Sequence, residues 1–152
     1  MAVREILVGF MHPILRRKAE MVTEMDKEVK VLIADLLDTV AVAAGAGLAA
    51  PQIGVSLQVC VAKTGEGFLT LMNPDILWRS EDIEIFEEGC LSLPDTWVEV
   101  PRPRATIVRY RDEQWRVKER RFEGLDARVI QHEVDHLYGK LIMDYLPTDA
   151  RL

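Results

Sequence analysis

Residues His132-Glu133-Val134-Asp135-His136 set two histidines four positions apart with a glutamate between them. On a helix, positions i and i+4 lie one above the other on one face, so both imidazoles can reach one metal ion. Glu133 is turned by about 100° from His132, so it need not be a ligand and can take a proton from water at the metal. The sequence has only three histidines. Two of them at this spacing favour a site over a pair of surface side chains. A tetrahedral catalytic metal takes three protein ligands and keeps one position open. The candidates for the third are His12, Cys60, Cys90 and the carboxylates. Cys90 sits in Glu88-Gly89-Cys90-Leu91-Ser92, a turn of small residues before Pro94, which can aim a thiolate and the N–H groups beside it. Cys60, between Val59 and Val61, reads as a small buried hydrophobe. His12, beside Pro13, reads as a loop or surface residue. A third segment, Gly45-Ala46-Gly47-Leu48-Ala49-Ala50-Pro51-Gln52, permits close backbone approach at its glycines. It also brings an amide, on Gln52, that can donate to an anionic oxygen. Taken alone, it reads equally well as a helix stop followed by a loop.

Local patterning supplies the elements that must position these groups. Met25, Val29, Leu32, Ile33, Leu36, Leu37 and Val40 recur every three or four residues and predict a helix from Thr23 to Ala44, stopped by Gly45. Thr23 and Asp26 have the spacing of a capping box. Short stretches rich in β-branched and aromatic residues predict strands at 57–63, 68–72, 83–86, 97–100, 105–111 and 115–122, with a hairpin at Arg111–Gln114. A second helix is predicted over Leu125–Tyr138, stopped by Gly139, with Leu125, Val129, Ile130, Val134 and Leu137 as its apolar face. Asp126 suits the positive end of that helix dipole. Helix, antiparallel strands, then helix is an α+β order, not a doubly wound parallel sheet.

The 152 residues suit one domain, 1–152, with enough core to fold without disulfides. A net charge of −6 makes DNA and anionic membranes poor partners. No apolar run reaches the ~20 residues of a membrane span. The start of the chain lacks the pattern of a signal peptide, and two cysteines make no disulfide framework, so a cytoplasmic protein with free thiols is expected.

Together, Gly45–Gln52, Glu88–Ser92 and Gln131–Leu137 resemble the three signature motifs of the peptide deformylases, in order and in spacing. His12-Pro13-Ile14-Leu15-Arg16 resembles the family's early segment, and Lys140–Leu146 its strand after the helix. The resemblance implies an α+β fold with antiparallel β-sheets around a metal-bearing C-terminal helix. It also implies removal of the formyl group from formyl-methionine at the start of nascent or free peptides, with release of formate. One divalent metal is implied on Cys90, His132 and His136, commonly Fe²⁺, with Zn²⁺, Ni²⁺ or Co²⁺ also accommodated. Glu133 is then the general base and acid, and Gln52 and the backbone N–H of Leu91 are the oxyanion donors. Gly45, Ala46, Gly47 and Leu48 would flank the substrate backbone. By helical spacing before His132, Leu125, Val129 and the stem of Arg128 are candidates for the methionine pocket, with solvent as the other direction open to Arg128. A zinc peptidase would take its third ligand downstream of His136, where no further histidine follows. A catalytically dead peptide-binding relative would have lost a ligand or Glu133. Many relatives carry a basic C-terminal helix that docks on the ribosome. An acidic chain that stops at Leu152 is expected to dock weakly, unless a basic patch such as Arg102, Arg104, Arg120 and Arg121 substitutes for that helix.

Overall fold

The computed structural model describes residues 2–147, so the expectation concerning the chain end at Thr148–Leu152 lies outside the described residues. After a one-turn helix α1, Pro13–Arg16, comes the long helix α2, Lys27–Ala43. It starts four residues later than its apolar stripe predicts. The cap is Asp26, not Thr23: its carboxylate accepts from the Val29 N–H at 2.9 Å, satisfying one of the donors a helix start leaves free. The helix ends in left-handed Ala44 (φ 54°), whose N–H bonds Ala41 O while that of Gly45 bonds Val40 O. This is a Schellman closure, and the glycine lies one residue past the left-handed position.

Seven strands follow: β1 Gly47–Ala49, β2 Val59–Thr64, β3 Gly67–Arg79, β4 Ile83–Cys90, β5 Leu93–Pro103, β6 Ala105–Arg111 and β7 Val117–Glu123. Five form an antiparallel sheet in the order β1-β2-β3-β6-β7, and β4 and β5 form a separate hairpin. The β6–β7 connection is the five-residue turn 112–116, longer than the hairpin expected at 111–114. Asp112 Oδ1 accepts from the N–H groups of Gln114 and Arg116, and Trp115 sits in the turn at φ 65°, so β7 begins at Val117.

Helix α3, Gly124–Leu137, lies against the sheet on the face opposite α2. Strand β2 is therefore buried on both sides. Val59 and Val61 pack with Leu36 and Val40 of α2, whereas Cys60 and Ala62 pack with Ile130 and Val134 of α3. Each fully buried aliphatic side chain here contributes roughly 1.5–3 kcal/mol. Cys60 is thus the buried hydrophobe its neighbours predict. The core stripe of α3 is Ala127, Ile130, Val134 and Leu137, rotated from the expected face: Leu125 is 73% exposed and Val129 half-buried. The other side of α3 meets the β4–β5 hairpin through Arg128, His132 and Asp135. Gly139 stops α3 at φ 75°, where a Cβ would stand 2.5 Å from the Arg16 carbonyl oxygen. Beyond it, Ile142–Tyr145 form a 3-10 turn and not the strand expected there. Asp144 causes this: its Oδ2 accepts the Leu141 N–H at 3.0 Å, and Arg16 holds both its oxygens.

Candidate active site

Helical spacing brings the two imidazoles together as anticipated, and the β4–β5 turn brings up the thiol. His132 Nε2 and His136 Nε2 are 3.3 Å apart, and Cys90 Sγ is 3.4 Å from His136 Nε2. All three atoms lie within 4.8 Å of one another, a group that could hold a metal ion. Edges of roughly 3.4–3.6 Å are what a tetrahedron with bonds of about 2.1–2.3 Å requires, so the donor set fits such an ion. One thiolate and two imidazoles suit iron, zinc, nickel or cobalt, not magnesium or calcium. His12 is no part of the cluster; it caps α1, its Nδ1 accepting from the Ile14 N–H at 3.4 Å.

Cys90 and His132, with Glu133, line a cavity of about 400 Å³. Gly45, Ala46, Gly47, Gln52 and Leu91 form one wall, Arg128 and Val129 another, and Leu125 and Trp97 stand at the rim. Strand β1 is an edge of the five-stranded sheet, so its backbone is placed to meet an extended peptide. A Cβ on Gly47 would lie 2.5 Å from Glu133 Oε2, so only glycine lets strand and carboxylate come so close. The side chain of Leu48 is fully buried in the core with α2 and does not line the cavity, which leaves only its strand backbone toward the edge.

Glu133 is 4% exposed, and burial pushes its carboxyl up to about 7, the carboxylates of Glu88 and Asp135 adding to the effect. Its Oε1 has no hydrogen-bond partner among the described residues. A buried acceptor of this kind is free for a ligand or for water. Gln52, 2% exposed, accepts the Ala49 N–H at Oε1 (2.9 Å), and its Nε2 donates to Ser92 Oγ (3.1 Å) and, at longer range, to Cys90 Sγ (3.7 Å).

The layer behind the cluster was not anticipated. Glu88 Oε1 stands 2.8 Å from His132 Nδ1. A carboxylate only accepts, so Nδ1 carries the proton and Nε2 is left facing Cys90 and His136. Glu88 is in turn held by Arg102, at 2.6 and 2.9 Å, and by Arg128 at 2.6 Å. Burial alone would raise its carboxyl, but Arg102 and His132 bring it down to about 2. Arg102 reaches on to Asp135 (2.9 Å) and Tyr145 (3.3 Å). It is buried, so it belongs to no surface basic patch. Arg128 does not point to solvent either: besides Glu88 it bonds Val100 O at 2.9 Å and Glu84 O at 2.7 Å, and its stem borders the cavity. Burial pushes His136 well below its ordinary value, keeping it neutral and able to ligate. Burial acts the same way on His132, but the Cys90 sulfur and Glu88 carboxylate outweigh it and raise that ring to about 10. A site that favours a proton so strongly also favours a cation that can replace it.

An HExxH helix under an apolar cavity, with a buried free carboxylate beside three convergent ligand atoms, defines a hydrolase of the metal-assisted class. The comparisons narrow the class. The family model described as polypeptide deformylase matches residues 4–151. The peptide deformylase of Pseudothermotoga lettingae is 44% identical over 139 residues, covering 91% of this chain and 81% of that protein. The crystal structure of the Thermotoga maritima peptide deformylase superposes with a TM-score of 0.93 at 39% identity, covering 97% of this chain and 99% of that one. An Acinetobacter baumannii peptide deformylase, solved with Met-Ala-Ser bound, gives a TM-score of 0.88 at 30% identity, covering 95% and 98%. The chain belongs to the peptide deformylase family, hydrolases that remove the formyl group from an N-terminal methionine.

Proposed function

We propose that this chain hydrolyses the N-formyl amide of formyl-methionyl peptides with Glu133 as the proton carrier and Cys90, His132 and His136 as ligands of one divalent metal. The single observation that carries the reading is the buried Oε1 of Glu133, without a hydrogen-bond partner among the described residues, beside that convergent donor set. The metal, Fe²⁺ as the resemblance implies or Zn²⁺, Ni²⁺ or Co²⁺, supplies Lewis acidity: it lowers the pKa of water and polarises the formyl carbonyl. Glu133 removes a proton from the attacking water and hands it to the departing amine nitrogen, so formate and a free amino terminus leave. A carboxyl raised to about 7 by burial suits both halves of that transfer near neutral pH. The amide of Gln52 and the N–H of Leu91 face the charge that develops on the formyl oxygen.

The methionine side chain enters between Val129, the stem of Arg128 and the rim residue Leu125, while the peptide backbone runs along Gly45, Ala46 and Gly47. The Acinetobacter relative solved with Met-Ala-Ser supports a substrate of this length and kind. No helix among the described residues is long and apolar enough to cross a membrane. Free thiols at Cys60 and Cys90 suit a reducing, cytoplasmic location.

The test is turnover of formyl-Met-Ala-Ser beside acetyl-Met-Ala-Ser, with anaerobic Fe²⁺ loading and elemental analysis. Expected are release of formate from the first peptide only, about one metal per chain, and loss of that metal in Cys90→Ala. Undiminished metal in Cys90→Ala overturns the ligand assignment.

A further inference from the structure

We propose that Ser92 is a positioning residue, fixing the amide of Gln52 so that its NH₂ edge, on the side of Cys90 Sγ, faces the reacting carbonyl; this rests on the reading of Gln52 as an oxyanion donor. A carboxamide has a donor end and an acceptor end, and a half-turn exchanges them. Two contacts set the choice here. The Ala49 N–H at 2.9 Å can only donate, so it requires Oε1 on its side. That leaves the NH₂ group toward the cavity, yet one contact lets the amide plane swing about the side-chain bonds. The second contact removes this freedom. Ser92 Oγ, on a fully buried residue, accepts one Nε2 proton at 3.1 Å, which directs the other toward the metal-ligand cluster, where Cys90 Sγ accepts it at the longer distance of 3.7 Å.

The two anchors belong to different elements, Ala49 to edge strand β1 and Ser92 to the β4–β5 turn. Ser92 is also peptide-linked to Leu91, whose N–H is the other proposed donor, and its carbonyl is held by the Gly9 N–H at 2.9 Å. One hydroxyl therefore ties the amide donor to the backbone donor across 40 positions of sequence. Donors aimed in advance need no reorganisation as charge develops, so removing the hydroxyl should act on the transition state and not on peptide binding.

The experiment measures kcat and KM on formyl-Met-Ala-Ser for Ser92→Ala, Ser92→Thr, Gln52→Ala and the Ser92→Ala/Gln52→Ala double variant, at matched metal content. Ser92→Ala is expected to lower kcat by about tenfold with KM within about twofold, and Ser92→Thr to recover most of the loss. In the Gln52→Ala background, Ser92→Ala is expected to cost less than about twofold, because its effect passes through the missing amide. If Ser92→Ala does not fold, as judged by circular dichroism and melting, Ser92→Cys takes its place; it fills the same space with a weaker acceptor. Effects that multiply in the double variant, or a threonine no better than alanine, overturn the role of Ser92 while leaving Gln52 in place. A Gln52→Ala variant with near-normal kcat overturns the reading of Gln52, and the role of Ser92 falls with it.

Discussion

Glu133 is set apart from the other carboxylates by its surroundings. It is buried beside Gly47, and its Oε1 has no hydrogen-bond partner among the described residues. Glu133→Gln keeps shape and burial but cannot accept a proton. It is expected to retain metal and melting temperature while kcat falls by about 10²–10⁴; a normal kcat in metal-replete protein would move the proton transfer to another group. Glu88 is the opposite case, a carboxylate locked by Arg102 and Arg128 so that it orients His132. Glu88→Gln is expected to weaken metal affinity by about 10–100-fold, checked by competition with a chromophoric chelator. The difference in legibility follows from distance along the chain. The pair at 132 and 136 is fixed by one helix, so its geometry could be read from spacing. Glu88, Arg102 and Arg128 meet across 14 and 40 residues, and no local pattern announces such a contact. Arg128 illustrates the limit: spacing put its stem at the pocket, but the carbonyls and carboxylate that fix its head come from two other elements, β4 and β5.

Among the elements, α2 was read well in its interior and poorly at its start. Periodicity reports the buried face, while the boundary depends on which side chain wins the cap, and Asp26 does. The turn at Ile142–Tyr145 departs from the expected strand for a similar reason, since Asp144 binds locally in place of a ladder partner. Helix α2 also holds down the first residues of the chain. Asp35 accepts the Ala2 N–H at 2.6 Å and the Arg4 guanidinium at 3.1 Å, and Thr39 accepts the Arg4 N–H at 2.8 Å. Burial would raise the Asp35 carboxyl, but these hydrogen bonds prevail and leave it below its ordinary 3.8. The sign follows from linkage. The unfolded chain binds the proton more tightly, so this stabilisation is fully present above the unfolded value and lost as pH falls through the lower folded one. Asp35→Asn is therefore expected to be less stable than the wild type at pH 6, with the gap closing below 3.8. Urea titrations across this range check it; a gap that stays constant with pH would remove Asp35's charge from the account.

At the scale of the whole molecule, the three candidate ligand atoms come from two parts of the fold that share no strand pairing. Cys90 ends β4 in the two-stranded hairpin, whereas His132 and His136 lie on α3, which packs against the five-stranded sheet. The two long helices, the strands between them and the α+β class were legible because each follows from local pattern, but the short β1 at Gly47–Ala49 and the splitting of the strands into two sheets were not, since strand partners are chosen by packing. A metal held by Cys90, His132 and His136 would clamp the hairpin onto α3, reinforcing the Arg102 and Arg128 contacts across the same seam. We therefore expect residues 1–152 to unfold as one domain, with the metal adding to its stability by mass action. At a free metal concentration about 100 times Kd the gain is about 2.7 kcal/mol. For a chain of this size that corresponds to a melting temperature lower by roughly 5–10 °C after chelation. Far-ultraviolet circular dichroism and the emission of Trp78, Trp97 and Trp115 should report one coincident transition with and without metal, because Trp97 rims the site while Trp78 and Trp115 ride on the large sheet and its turn. Cys90→Ser should lose most of the chelation shift, since the clamp loses its ligand on the hairpin side. Two separated transitions, with only the Trp97 signal moving on chelation, would show instead that the hairpin and the large sheet unfold independently.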